Sequence, residues 1–447
     1  MSRTLQDTAR TIFQQAMHAV DVQAAVRGQV SCSGGELRLA QQAIPLDRVD
    51  EVFLVALGKA AVPMYSAAAE ALTGLPWRAV VVAPPETLPR AEETPSGKDA
   101  ALFLPGAHPT PTADSLLAAA AILRLLEQTT PRTVVLFLVS GGASAMMERL
   151  LPPDATLEDL AAFSRALVSS GLTITEMNTL RKHLSAVKGG RLAVAAAAAA
   201  MQCTLLVSDV PDSSPNAVGS GPSLPDTTTR MEALLLMKRL QQTSAVPASI
   251  ARWFSVHDSP DTPKADHPAF QRAHWRVVLS GGHLVDAALR AAQAAGCHVE
   301  VDNHCDDWDY REAADYLLER AFQLATQQRR TVCLICVGEV GVTISGAAGQ
   351  GGRNQQFALW CAQALARSGR EATVLSAGTD GVDGHSTAAG AVCDELSVER
   401  ASIAGYDASE ALGKFNTYPL LQAIGEAIIT GPTGNNLRDV RLILVEP

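Results

Sequence analysis

Along this chain, compact apolar runs alternate with longer stretches in which apolar residues recur at helical spacing. The compact runs predict strands at residues 52–57, 78–83, 133–139, 203–207, 332–337, 373–377 and 440–445. Two more are predicted in WRVVL (275–279) and at Val342–Ile344. The helical spacing predicts helices over 5–25, from near Lys59, over 157–169, within 175–201, and over 228–254, 311–327 and 417–427. Thr156 and Asp159 are spaced as a capping pair for the helix at 157–169. Strands alternating with helices place the chain in the α/β class. The polar, proline-bearing stretch 257–273 reads as an exposed linker, so one domain is expected over 1–256 and a smaller one over 274–447. A length of 447 residues also favours two domains over one core.

The candidate chemistry lies where strands end. The strand at 52–57 runs into Gly58-Lys59, which puts a cation at a strand's carboxyl end, where α/β sheets bind ligands. This is not a Walker A loop, because GxxxxGK[ST] is absent. Ser140-Gly141-Gly142-Ala143-Ser144 offers amides and hydroxyls as an oxyanion cradle, and Ser280-Gly281-Gly282-His283 repeats the pattern. In the fourth junction, six of the eight residues Ser345 to Gly352 are Gly or Ala. Gly351-Gly352 there leads into a helix whose first turn carries Arg353 and Asn354. Bare backbone lets a ligand approach, a helix N-terminus attracts an anion, and a guanidinium fork fits phosphate or carboxylate.

Three carboxylates follow strands: Asp209 after 203–207, and Asp380 and Asp383 in a glycine loop after 373–377. Such groups suit Mg²⁺ or a catalytic base, although Asp-Gly turn chemistry explains the Asp380–Asp383 pair as well. Arg181, Lys182, Lys188 and Arg191 form the most basic stretch, which is either a solvated face or an anion-lined cleft. His108 lies near the start of a long helix. Cys333 and Cys336 have CxxC spacing within a strand, where positions three apart face opposite sides.

A net charge of −10 argues against nucleic acid or an anionic membrane as the main partner. An anionic substrate must then be met by a few placed Lys and Arg residues. No apolar stretch approaches the roughly 18 residues needed to span a bilayer. The polar N-terminus does not read as a signal peptide, and eight scattered cysteines suggest a reducing cytoplasm.

GKAA, GAHPTPTADS, SGGASAMM, KHLSAVKGGRLA, SDVP with VGSGPSLPD, SGGH, GGRNQQFAL, AGTDGVDG and TGPTGNN occur in this order. Together they resemble the MOFRL-type glycerate 2-kinases, some of which bear the older name hydroxypyruvate reductase. The resemblance covers nearly the whole chain. It implies a Rossmann-like three-layer N-terminal domain, a smaller C-terminal α/β domain, and an active site in the cleft between them. It further implies transfer of the γ-phosphoryl of ATP to the 2-hydroxyl of D-glycerate with Mg²⁺, and leaves a homodimer open.

By this resemblance the family's catalytic Lys and Arg fall on Lys59 and Arg353. On this reading, phosphates are expected on Gly58, Ser140, Gly141, Gly142, Ser280, Gly281, Gly282, Gly351, Gly352 and Asn354. Substrate contacts are expected from Lys188, Arg191 and His108, and metal or base roles from Asp209, Asp380 and Asp383. The chain departs from the family pattern at Asp212-Ser213, a change that bears on any metal role of that loop beyond Asp209, and at Gln356, Asn435 and Asp309-Tyr310-Arg311, changes expected to bear on substrate fit. A reductase would need a strand–GxGxxG–helix fingerprint, and Gly346 to Gly352 lacks that spacing.

Overall fold

The computed structural model describes residues 4–89, 100–108, 110–210, 214–256, 259–344 and 348–447. Asp212, Ser213, part of the glycine-rich loop (345–347) and most of the proline-rich excursion after 84 lie outside them. The chain divides into two compact units, residues 22–278 and a second made of 279–447 with the segment ending at Asp21. This differs from the expected division. The first helix, α1 (Leu5–Ala19), belongs to the second unit, so the chain passes between units after residue 21 and again after residue 278.

The larger unit begins with α2 (Val22–Arg27) and an antiparallel meander of β1 (Val30–Ser33), β2 (Glu36–Leu39) and β3 (Gln42–Pro45). Its main sheet has the order β6-β5-β4-β7-β8-β9. The strands are β4 (Glu51–Leu57), β5 (Trp77–Ala83), β6 (Ala100–Pro105), β7 (Thr133–Ser140), β8 (Met201–Val207) and β9 (Ala273–Leu279). Strands β6 through β8 are parallel. From β4 the chain moves outward to one edge, then returns to β7 and builds the other side. That reversal is the switch point of a doubly wound sheet, the place where such sheets bind ligands.

Every residue of β7 and β8 is buried, as strands covered on both faces require. Phe53, Val55, Val135, Phe137 and Val139 share one core with α4 (Ala113–Leu126). Helix α3 (Ala61–Ala71) also packs on β4, β5 and β7. After the short α5 (Ala143–Met146) come α6 (Leu157–Val168), α7 (Ile174–Leu184) and α8 (Arg191–Ala195). Helices α6 and α7 share a second core with α9 (Arg230–Thr243) and α10 (Ala248–Ser255), built on Phe163, Leu180, Met237 and Phe254.

The expected exposed linker is instead fastened to this unit. Thr262 is buried and donates to Asp226 Oδ2 at 2.9 Å, while Asp226 also meets Lys182 Nζ at 2.9 Å. Asp261 meets His183 Nε2 at 3.0 Å and Lys264 Nζ at 2.9 Å. Desolvation opposes ionisation of Asp261, yet these hydrogen bonds hold its carboxyl down at about 2.

The second unit contains α11 (Gly281–Ala294), β10 (His298–Val301), α12 (Tyr310–Gln328), β11 (Val332–Gly338) and α13 (Arg353–Ser368). These are followed by β12 (Thr373–Gly378), β13 (Gly390–Cys393), α14 (Ser397–Ile403), α15 (Ala408–Gly413), α16 (Thr417–Ala423), β14 (Ala427–Ile428) and β15 (Asp439–Val445). The sheet order is β10-β11-β15-β12-β13-β14, and β15 runs antiparallel to both neighbours. Its first residue, Asp439, therefore sits beside the last residues of β11 and β12, Gly338 and Gly378. Helix α1 buries Ala9, Ile12, Phe13 and Ala16 and packs on α11 and β12.

The strand expected at Val342–Ile344 does not form; the local pairing is one bridge between Asp309 and Gly341. Cys333 and Cys336 are both buried in β11, and burial pushes both thiols up.

Candidate functional site

In the larger unit, two strand ends meet at the switch point. Gly58 follows β4 at φ +109°, and a Cβ there would lie 2.5 Å from both Ser140 O and Ser140 Oγ. Only glycine allows that approach. The Ser140 hydroxyl accepts from Ala60 N at 3.0 Å and donates to Leu57 O at 3.2 Å. Lys59 N donates to Gly141 O at 2.9 Å. Ser140 is thus buried, and its hydroxyl stitches the β4 and β7 turns together. The stitching presents Lys59 instead. A Cβ on Gly142 (φ +83°) would lie 3.4 Å from both Lys59 Cγ and His108 Cδ2, so these two side chains flank the same backbone point. Desolvation and then the Lys59 charge hold the His108 imidazole below its ordinary pKa.

Beside this turn lies a cavity of about 340 Å³ walled by Gly142, Ser144, Asn178, Arg181, Asp209 and Ser220, with His108 at its margin. Asp209, two residues past β8, is half-buried there. Lys188 also reaches this wall, but as a buried ion pair: Nζ is 2.5 Å from Glu148 Oε2 and 3.2 Å from Met147 O. Glu148 accepts from Ser185 Oγ at 2.5 Å and from Arg149 N at 2.9 Å. Lys188 therefore builds the wall more than it offers a free charge. Arg191 lies outside the cavity lining, donating to Ser185 O at 2.9 Å. Arg181 and Asn178, one turn apart on α7, reach the cavity instead; the basic stretch signalled the first, and nothing in the sequence singled out the second.

In the second unit, α13 begins at the carboxyl edge of the sheet with Gly352 as its N-cap. Two of its first-turn amides, expected to attract phosphate, are already met from within the chain. Asp383 Oδ1 accepts from Asn354 N at 3.1 Å and Oδ2 from Gln355 N at 2.9 Å. The side-chain amides of Asn354 and Gln355 donate to the same carboxylate at 3.3 and 3.0 Å. A Cβ on Gly352 would lie 2.3 Å from Asp383 Oδ1, so glycine there makes room for the carboxylate. Asp383, expected as a metal ligand, caps this helix. Asn354, expected as a phosphate contact, is buried, with its Oδ1 accepting from Ser376 Oγ at 2.6 Å and its side-chain amide joining that cap. Burial drives the Asp383 carboxyl up to about 6 despite these hydrogen bonds.

Arg353 itself is half-exposed. Its Nε and Nη2 donate to Asp439 at 2.6 and 3.2 Å, and Nη1 to Glu339 Oε2 at 2.8 Å. Burial works against its charge, but the two carboxylates more than offset that and keep it protonated. Three of five N–H donors are thereby engaged, leaving two beyond these contacts among the described residues. Arg438 pairs with Asp306 at 2.6 Å, and Asp306 also accepts from Glu339 N at 2.9 Å. Gly281 and Gly282 open α11 behind Ser280, whose Oγ lies 3.1 Å from His283 Nδ1.

Three of the residues that depart from the family pattern make contacts within this unit. Gln356 Nε2 reaches Leu412 O at 3.2 Å, Asn435 Nδ2 reaches Val20 O at 2.9 Å, and Asp309 caps α12. Among the described residues no group of three or more His, Cys, Asp or Glu is gathered for a metal. Asp209 in the larger unit and Asp380 in the second are each half-buried carboxylates, the kind of group that Mg²⁺ takes singly while keeping its waters. No helix of the described residues is long and apolar enough to cross a membrane.

A doubly wound domain with a lysine at its switch point, followed by an α/β unit with an arginine heading a helix, defines a two-domain class of α/β protein. Residues 8–255 match the domain of unknown function DUF4147, and residues 332–439 match the MOFRL family. The chain belongs to this DUF4147–MOFRL family. It is 33% identical to the D-glycerate 2-kinase of Thermotoga maritima, over 91% of this chain and 94% of that protein. It is 35% identical, over 77% of each, to a protein of Agrobacterium vitis provisionally named a hydroxypyruvate reductase. The crystal structure of the Thermotoga maritima glycerate kinase superposes with a TM-score of 0.81 at 30% identity, covering 99% of both chains.

Proposed function

We propose that this protein is a glycerate 2-kinase, transferring the γ-phosphoryl of ATP to the 2-hydroxyl of D-glycerate. The observation that carries this reading is the Lys59 turn. Two strand ends are stitched so tightly that only glycine fits at Gly58, and the side chain left beside the cavity is a cation. Kinship with proteins named glycerate kinases supplies the reaction.

In the reaction, the substrate hydroxyl oxygen forms a bond to the γ-phosphorus as the bond to the ADP oxygen breaks, and the hydroxyl proton leaves to a carboxylate. Such transfer needs positioning and charge neutralisation more than covalent chemistry from the protein. Lys59 supplies charge to the transferring group, and Arg353 uses the donors left over from Asp439 and Glu339. Backbone amides around Gly141–Gly142 and Gly281–Gly282 serve the phosphates. Mg²⁺ bound with ATP would neutralise charge on the phosphates; Asp209 or Asp380 would hold it, and the other would take the proton. The eight cysteines are all unpaired, which suits a cytoplasmic location.

The test is ADP release with D-glycerate, and its loss in Lys59→Ala. The Agrobacterium vitis relative motivates a second reading, a hydroxypyruvate reductase. Oxidation of NAD(P)H by hydroxypyruvate would favour that reading, but Gly58-Lys59-Ala60-Ala61 after β4 is not a dinucleotide fingerprint.

A further inference from the structure

The cavity beside Lys59 contains a guanidinium that the phosphoryl chemistry does not use. Arg181 lies on α7 and lines the cavity, and its single hydrogen bond among the described residues runs from Nη1 to Asn178 Oδ1 at 3.2 Å. Desolvation works against its charge, while Glu148 favours it from nearby. Glu148, however, is already committed to Lys188, Ser185 and Arg149 N. A planar fork with most of its donors unspent in a partly dry pocket is costly unless an anion completes it.

The groups around it share this surplus of donors. Asn178 Oδ1 accepts from Arg181 and, at 3.5 Å, from Ser220 Oγ, so the Asn178 carbonyl is spent and its NH₂ group is not. Ser220 Oγ and Ser144 Oγ are 2.8 Å apart, which lets one of them pass a hydrogen bond onward. Arg181, Asn178, Ser220 and Ser144 thus form a connected chain along one wall. They can donate to a planar anion while a hydroxyl accepts from a neighbouring alcohol. Gly142 and His108, which flank Lys59, belong to the same lining, so a molecule anchored on Arg181 extends toward the Lys59 turn.

We propose that Arg181, held by Asn178 and accompanied by the Ser144–Ser220 hydroxyl pair, binds the carboxylate of the substrate and makes the enzyme select a small hydroxy acid over its neutral counterpart. Arg–carboxylate recognition is bidentate, and lysine reproduces only its charge. The proposal rests on the glycerate kinase reading for the identity of the acid, but not for the presence of a carboxylate site.

The experiment compares the full-length protein with Arg181→Met and Arg181→Lys. It measures steady-state kinetics with D-glycerate and ATP, and the shift in Tm caused by D-glycerate or the isosteric neutral D-glyceramide without nucleotide. In Arg181→Met, kcat/KM for D-glycerate should fall at least about 100-fold, mainly through KM, with the KM for ATP within about threefold of wild type. Arg181→Lys should fall in between. The wild-type Tm shift should be larger with D-glycerate than with D-glyceramide, and that difference should vanish in Arg181→Met. A glycerate KM within threefold of wild type in Arg181→Met overturns the assignment, as does an ATP KM that rises in step, or a wild type whose Tm D-glycerate leaves unmoved. If the wild type binds D-glycerate but does not phosphorylate it, the kinase reading falls. The carboxylate site then stands only if Arg181→Met abolishes the glycerate-specific Tm shift, and falls if that shift persists.

Discussion

Asp383 anchors the helix that Arg353 heads: its two carboxylate oxygens take the backbone amides of Asn354 and Gln355, at 3.1 and 2.9 Å, immediately after the arginine. The loop after β12 therefore supplies the anion that the N-terminus of α13 attracts. Arg353 is fixed at its backbone by this cap and at its guanidinium by Asp439 and Glu339.

Replacing Asp383 with Asn puts an NH₂ group where two amides need acceptors. Asp383→Asn should lose about 3 kcal/mol of stability, given the strength of hydrogen bonds to charged groups. It should also lower kcat/KM by letting Arg353 drift. Chemical denaturation and steady-state kinetics check the two effects.

The same residue gives a pH signature. With its carboxyl raised to about 6, Asp383 binds a proton more tightly in the folded chain than in the unfolded one. Its contribution is therefore fully present below about pH 4 and is lost as pH rises through about 6, by roughly 3 kcal/mol. Unfolding free energy measured from pH 4 to 7 should fall more steeply in wild type than in Asp383→Asn. Parallel curves would show that Asp383 carries none of this dependence.

At the other strand end, Gly58→Ala forces a methyl group to within 2.5 Å of Ser140 O at a φ of +109°. Backbone strain and overpacking together should cost about 3 kcal/mol or more, and the displaced turn should reduce activity further. Thermal unfolding together with kinetics on the folded fraction separates the two losses.

The buried pair of Lys188 and Glu148 should behave as structure. Lys188→Met leaves the Glu148 charge unmatched and should destabilise by about 3–5 kcal/mol. The double variant Lys188→Met/Glu148→Gln should recover much of that loss. If Lys188→Met instead keeps wild-type stability and raises the KM for glycerate, Lys188 binds substrate directly.

The loss of either proposed phosphoryl-contacting cation should be far larger than these structural effects on rate. Lys59→Ala and Arg353→Ala should each reduce kcat/KM by roughly 100-fold or more. A change within about threefold, ~0.7 kcal/mol, would remove that residue from the mechanism.

The β-branched runs and glycine-bearing strand ends are enough to read most strands of the two main sheets and the α/β class, because both follow from local periodicity and backbone freedom. What local pattern could not show was the partner of each polar group. Asp383 had the composition of a metal ligand, and only the three-dimensional arrangement reveals that α13 takes both its oxygens. Lys188, Arg191 and Arg181 are equally basic in sequence, but Glu148 and the Ser185 carbonyl claim the first two. The linker at 257–273 read as solvated because its residues are polar, yet Thr262 and Asp261 answer the buried Lys182–Asp226 pair and His183. Helix α1 looked like part of the first domain because the chain is continuous there, whereas its apolar face packs on α11 and β12.

The most direct test of the account is to incubate the purified protein with D-glycerate, ATP and Mg²⁺ and identify the product by ³¹P NMR. The account predicts 2-phosphoglycerate with equimolar ADP. Formation of 3-phosphoglycerate, or no phosphorylated acid from a protein that oxidises NAD(P)H with hydroxypyruvate, would contradict it.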